Sequence, residues 1–361
     1  MMVTRMGSLN ALEQDKGNSF WRKWLGKELS SADTIGRVFS QLILDSIRSR
    51  IHHVYSRLKR NKAIKKTHGF HVLLIDGHES SSSYLRCCSG CLRRIIHTRN
   101  QDRIQYYHRN VVGMLSGEDF PVLLDVEEQR EGEDEVAAAT RLVKRILKNY
   151  PRAFDVVVGD GLYLRANFFS LLLEHGKDVI AVLKDKTRDL MVDARGLFEY
   201  EKPLIEIEGT TKRKIWDIEE FTSWESLNRK VRVVRSLETK TVCRQLTGKK
   251  EEETSEWMWV TTLSQKKAGT GAIVNLGHSR WLIENKALNE MVTYWHADHV
   301  YRHHPTAITA FWLTLMLVLN LFRAFVYLNI KPELRSKHSN LYFARLIFSG
   351  LYDGNFQKIP P

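Results

Sequence analysis

The stretch Phe154-Asp-Val-Val-Val-Gly-Asp160 decides the fold. Four of its residues are apolar and β-branched or aromatic, with Gly and a charge closing the run. Such a run reads as a strand buried on both faces, the pattern of a central strand in a parallel sheet. A second run of the same kind, His71-Val-Leu-Leu-Ile-Asp76, also closes on an aspartate. An Asp at the C-terminal end of a central strand is expected at the sheet rim, where open α/β sheets keep their sites. A third carboxylate, Glu284, lies in Arg280-Trp-Leu-Ile-Glu284-Asn, which reads as a helix with Arg280 one turn before Glu284 on the same face. Two strand-end aspartates and a helical glutamate make a hard-oxygen set of the kind Mg²⁺ prefers. Paired metal ions in such sets run in-line displacements at phosphorus.

The surrounding order of elements extends this reading. Strands are expected around 104–115 and 120–127, a helix over 133–150, the Asp160 strand, a helix from Arg165, and a strand over 178–184. Beyond Asp185 the pattern changes. Leu204-Ile-Glu-Ile-Glu208, Lys214-Ile-Trp-Asp-Ile218, Val231-Arg-Val-Val-Arg235 and Trp257-Met-Trp-Val260 alternate or nearly so, as antiparallel strands do. Residues 238–255 are polar and read as an exposed hairpin or loop. The expected class is α/β, a mixed sheet flanked by helices with a β-rich insertion and an N-terminal helical region.

In this order the chain resembles the DDE transposases of bacterial insertion sequences. It is most similar to the IS-four-type group, whose RNase H-like domain carries a β-rich insertion before the catalytic Glu. The likeness runs from about Leu73 to about Tyr327, and Asp160-Gly-Leu-Tyr163 and Arg280-Trp-Leu-Ile-Glu284 carry it in combination. It implies Asp76, Asp160 and Glu284 as catalytic, metal-holding residues with Mg²⁺ as cofactor and Mn²⁺ able to replace it. It implies Arg280 as a DNA contact. Double-stranded DNA is the implied partner, both the terminal inverted repeats of an element and its target, with a homodimer in the synaptic complex. The implied location is the bacterial cytoplasm, on the nucleoid when DNA is bound. The group's signature places Tyr three residues before the Arg and Lys seven after the Glu. Here those positions are Gly277 and Met291, so the accessory Tyr and Lys contacts do not carry over.

The implied organisation is an N-terminal basic helical region over 1–66, a first part of the catalytic core over 67–184, and the β-rich insertion over 185–272. A second core part with the Glu helix spans 273–330, and a basic tail spans 331–361. In the first region, Ser30 to about Lys66 reads as one long amphipathic helix opened by a capping box at Ser30-Ser-Ala-Asp33. Its second half is strongly basic. Arg57, Lys59, Arg60 and Lys62 are candidate phosphate contacts, balanced evenly against a merely solvated face.

Composition agrees with a polyanionic partner. Lys and Arg number 55 against 42 Asp and Glu, a net charge of +13, and 43% hydrophobic residues supply a core. Four Cys fit a reducing compartment, not a disulfide scaffold. Residues 1–9 lack an apolar signal core. The apolar segment 307–322 approaches membrane length, but Asn320 and Arg323 favour a buried helix, and no membrane is expected as a partner.

Two further groups have residues that can hold metal. Cys88-Ser-Gly-Cys91 has the spacing of a zinc knuckle, with Cys87 and His97 flanking it and His78 and His108 as residues able to approach. A zinc site needs four ligands and a second CxxC is absent, so a tight loop with buried thiols is preferred over Zn²⁺ at Cys88 and Cys91. His296, His299 and His303 fall on one side if their segment is helical, and buried or DNA-facing neutral His is preferred there to a metal site. In Tyr106-Tyr-His-Arg109, strand alternation sends Tyr106 and His108 to one face, read as packing.

Overall fold

A computed structural model describes residues 5–99, 101–186, 188–244 and 248–352. In chain order the elements are α1 (Leu9–Gln14), α2 (Ser19–Leu25), α3 (Ala32–Gln41), α4 (Leu44–Arg60), β1 (Val72–Ser83), β2 (Leu92–Ile96), β3 (Arg103–Ser116), β4 (Val122–Glu128), α5 (Glu135–Asn149), β5 (Val156–Gly159), α6 (Ala166–Glu174), β6 (Asp178–Val182) and α7 (Asp189–Phe198). Then follow β7 (Leu204–Glu208), β8 (Thr211–Phe221), β9 (Val231–Cys243), β10 (Lys250–Thr261), α8 (Thr270–His278), α9 (Trp281–Ile283), α10 (Asn289–Trp295), α11 (Pro305–Asn329), α12 (Pro332–Lys337) and α13 (Asn340–Tyr352). The class is mixed α/β, with sheet strands both parallel and antiparallel and helices flanking them, consistent with an RNase H-like transposase fold.

The chain forms two compact units. One comprises residues 67–74 and 152–281. Here the start of β1 pairs in parallel with β5, and β5 in parallel with β6. Val72, Leu73, Val156 and Val157 are fully buried, as strands covered on both faces must be. β10 pairs antiparallel with β6, and β9, β8 and β7 follow in antiparallel order. The β-rich stretch therefore extends the same sheet by hydrogen bonds. Residues 238–255 belong mostly to the long arms of β9 and β10, paired from Lys250–Cys243 onward. The tip, 245–247, lies outside the described residues.

The other unit comprises 1–66, 75–151 and 282–361. β2, β3 and the remainder of β1 lie side by side, with β4 on β3. The expected helix over 30–66 is two helices. Leu42 is extended, with ψ 137°, and breaks the run between α3 and α4. The cap is Ser31, not Ser30: its side chain accepts from the Thr34 amide. α4 buries Ile51, Tyr55 and Leu58 and leaves Arg57, Lys59 and Arg60 exposed, as is Lys62 just beyond it. Leu9, Leu12, Phe20, Trp21, Leu29 and Phe311 form a small core that seats the N-terminal helices on α11.

α11 contains the apolar segment 307–322 and is the one described helix long and apolar enough to cross a membrane. It packs within this unit against α3, α4 and β4. Its polar residues explain the placement. Asn320, fully buried, accepts from the Leu123 amide (2.9 Å) and donates to the Leu123 carbonyl (2.7 Å), satisfying β4 backbone. Arg323, 1% exposed, pairs with Glu290 at 2.9 Å. Asp125 and Glu127 are residues of β4. Arg48 and Arg145 hold Asp125, and Arg141 and Arg145 hold Glu127.

Candidate active site and metal-binding residues

β1 does not stop at Asp76. It continues to Ser83, because its later residues find β3 as a partner. Asp76 is thus a mid-strand residue, and the expectation of a strand end there is corrected. The register retains its significance. The last residues paired between β1 and β5 are Leu74 and Val158, and Asp76 and Asp160 each come two residues later. Each aspartate is followed by glycine, and each accepts a hydrogen bond from that glycine's amide, at 3.0 Å for Asp76 and 2.7 Å for Asp160.

Neither glycine is replaceable at no cost. A Cβ on Gly77 would lie 2.1 Å from an oxygen of Glu135, which is buried and paired with Arg109. A Cβ on Gly161 would meet the Val182 carbonyl at 3.0 Å. The Asp-Gly steps therefore let neighbouring groups close in beside each carboxylate.

Asp160 is half-buried. Burial pushes its pKa up, but Lys184 Nζ at 2.9 Å, the Gly161 amide and the charge of Arg280 outweigh that and hold it below the usual carboxylate range. Lys184 is 60% exposed and tethered by a flexible stem. Asp160 thus already holds a cation, one that can swing away. A hard carboxylate oxygen with an ammonium on it marks a place where a divalent cation would be attracted, and Asp160 fits such an ion as a ligand.

Arg280 is not in one helix with Glu284. α8 ends at His278, Ser279 and Arg280 form a turn, and α9 begins at Trp281. The expectation of one continuous helix through Arg280 and Glu284 is corrected. Arg280 is 8% exposed, with its guanidinium 4.6 Å from the Trp281 ring centre, and its charge acts on Asp160. Gly277 explains why no tyrosine stands there: a Cβ would lie 2.4 Å from the buried Trp259 ring.

Glu284 is partly exposed and opens a π-helical turn, Glu284–Leu288. Its carbonyl accepts from the Asn289 amide five residues on. Such wide turns recur at functional sites. This one is braced from α11: Arg323 donates to the Lys286 carbonyl and to Glu290. From the sequence, Arg323 reads only as an interruption of an apolar run. A charge inside such a run is the available signal that it serves something buried.

The Cys pair also differs from expectation. Cys88 and Cys91 are joined by His108 of β3 and by His303 just before α11, and one ligand atom from each lies within 4.8 Å of all the others. His97 instead pairs with Asp102, His78 with Asp298, and Cys87 is exposed. The segment 296–304 is irregular, with His296 in the left-handed region at φ 56°. His296 and His299 therefore do not share a helical face with His303.

A family model for the transposase DDE domain matches residues 95–321, more than half of the chain. Asp160, Arg280 and Glu284 fall inside the matched stretch, and Asp76 precedes it. Among curated proteins nothing matches.

Proposed function

Because the chain belongs to the transposase DDE domain family, a family of DNA-binding proteins that use divalent metal ions, we propose that it cuts and rejoins the ends of its own mobile element. In this reading Asp76, Asp160 and Glu284 are the working carboxylates, Mg²⁺ is the ion, and Mn²⁺ can replace it. The observation that carries the reading is the matched pair of Asp-Gly steps, each two residues past the Leu74–Val158 pair. Bound divalent ions supply charge stabilisation at the scissile phosphate and a nucleophilic oxygen at neutral pH.

The chain's own residues do the rest. Asp160 stays deprotonated because Lys184 and Arg280 oppose its burial. Lys184 gives way when a stronger cation arrives. Arg280, with its guanidinium over the Trp281 ring, carries the planar fork that suits a phosphate of the cleaved strand. Arg57, Lys59, Arg60 and Lys62 offer an exposed basic surface to duplex DNA, and two copies of the chain bring two element ends together.

The test is single-turnover cleavage and joining on a duplex carrying the element's terminal repeat, both intact and pre-cut. The expected result is Mg²⁺-dependent cutting and transfer of the pre-cut end. Asp76→Asn, Asp160→Asn and Glu284→Gln should each abolish both while leaving the unfolding temperature nearly unchanged. Cutting by the wild type without any transfer of pre-cut ends would replace this reading with that of a hydrolytic nuclease.

A further inference from the structure

We propose that Cys88, Cys91, His108 and His303 form a closed, structural Zn²⁺ site, separate in chemistry from the carboxylates. Cys88 and Cys91 sit in the connection between β1 and β2. Their loop is a knuckle: the Cys91 amide donates to the Cys88 carbonyl at 3.1 Å, and the Cys88 amide donates to Cys91 Sγ at 3.2 Å. That turn aims both sulfurs the same way, 3.8 Å apart. Tetrahedral zinc with Zn–S near 2.3 Å would set two sulfurs about 3.8 Å apart. His108 Nε2 lies 3.4 Å from Cys88 Sγ and 3.2 Å from Cys91 Sγ, and His303 Nε2 lies 3.3 Å from Cys91 Sγ. Sulfur and nitrogen ligands of one zinc would be about 3.6 Å apart, so these four separations already stand within a few tenths of an ångström of those of one tetrahedral site, and all four ligand atoms lie within 4.8 Å of one another.

A second, independent feature points the same way. Glu128 of β4 binds His108 Nδ1. With Nδ1 engaged there, Nε2 faces the sulfurs. A carboxylate behind a ligating imidazole fixes its tautomer and raises its basicity, the usual outer support of a metal-bound histidine. His108 and Cys91 are almost wholly buried, at 1% and 4% exposure. A buried strand histidine that is held by a carboxylate on one nitrogen and faces two thiols with the other calls for a structural use.

The donor chemistry selects the metal. Two thiolates and two imidazoles suit zinc and not Mg²⁺, and four protein ligands leave no open position for a substrate. The role follows from placement. Cys91 and His303 are 212 residues apart in sequence. Pro305, the first residue of α11, lies against Gly90 of the knuckle, where a Cβ would meet it at 3.0 Å. A zinc ion would therefore tie the β1–β2 connection and β3 to the start of α11. α11 in turn carries Arg323, the brace of the Glu284 turn.

The test uses the full chain purified without added metal. Elemental analysis should find about one zinc per chain, resisting EDTA under conditions that remove Mg²⁺. Cys88→Ser and His303→Ala should lose it, while Cys87→Ser, Cys243→Ser and His299→Ala should keep it. Where a variant fails to fold, the wild type itself decides: Co²⁺ replacement should give the intense visible bands of a tetrahedral site with thiolate charge transfer. Chain that is folded and metal-free, with no cobalt bands on reconstitution, overturns the proposal. So does a Cys88–Cys91 disulfide in the purified protein, or equal zinc loss from Cys87→Ser and Cys88→Ser.

Discussion

Lys184 Nζ stands 2.9 Å from Asp160 Oδ1, so the strand-end carboxylate is already occupied by a cation carried on the next strand's exit. Lys184 competes with any metal for the same oxygen while holding the group ionised. The sign follows from the lowered pKa. A carboxyl depressed in the folded state contributes stability that is complete above its ordinary range and is lost as pH falls through the lowered value. Because Lys184 is 60% exposed, that contribution is small. Lys184→Met should therefore lower the neutral-pH stability of the metal-free protein slightly and shrink the part of it that is lost on acidification. It should also reduce the Mg²⁺ concentration giving half-maximal cleavage. Thermal unfolding against pH and a Mg²⁺ titration measure these; if both are unmoved, the ammonium neither tunes nor blocks the carboxylate.

The brace on the Glu284 turn predicts a distant mutation with an active-site effect. Arg323 is 1% exposed and serves both Glu290 and the Lys286 carbonyl. Arg323→Leu leaves a largely buried carboxylate unpaired, which costs roughly 3 kcal/mol. Adding Glu290→Leu removes the orphaned charge and should restore much of the stability. It does not restore a donor for Lys286. Chemical denaturation and single-turnover cleavage on the single and double variants should then diverge, with stability recovering and cleavage remaining low. Parallel recovery of both would mean that the π-turn needs no brace.

How much of this is legible in the sequence depends on where each constraint comes from. The Val156–Gly159 and Val72–Ile75 runs announce themselves, since a strand buried on both faces has no polar alternation to confuse it. The end of β1 is not legible, because continuation past Asp76 depends on β3 as a partner, which is not a local property. The break between α3 and α4 has no Pro or Gly to mark it; Leu42 simply turns extended to seat both helices. Arg280 and Glu284 carry helical spacing, yet a turn at Ser279–Arg280 separates α8 from α9, and the wide turn that Glu284 opens is braced by Arg323, far along the chain. The fourth member of the Cys/His group is hidden for a similar reason. His303 lies in an irregular segment, 212 residues from Cys91, where no periodicity points to a partner.

The basic end of α4 makes a prediction about salt. Arg57, Lys59 and Arg60 are exposed on the last turn, opposite buried Ile51, Tyr55 and Leu58, and Lys62 follows just beyond. If they touch phosphates, removing each of them should flatten the dependence of log affinity on log salt by about 0.9. Replacing all four by Gln should leave the fold intact, because none is part of the packed face. An unchanged slope, measured by fluorescence anisotropy on duplex DNA, would make the surface a solvated one only.

Arg280 should be irreplaceable by lysine. Its guanidinium lies 4.6 Å from the Trp281 ring centre while the residue is only 8% exposed, so the charge is held close to that ring. From there it lowers the Asp160 pKa together with Lys184. Lysine keeps the charge but has no planar fork to stack or to grip two phosphate oxygens. A charge-assisted hydrogen bond of this kind is worth roughly 1.5–3 kcal/mol, or about ten- to a hundred-fold in single-turnover cleavage. The missing stacking should cost stability no more than about 1 kcal/mol. Glu284→Gln should be worse for cleavage, since it removes a carboxylate proposed to hold metal, whereas Arg280 positions substrate and tunes Asp160. Wild-type cleavage in Arg280→Lys, or a defect accounted for entirely by unfolding, would show that the Ser279–Arg280 turn is scaffolding and not part of the catalytic device.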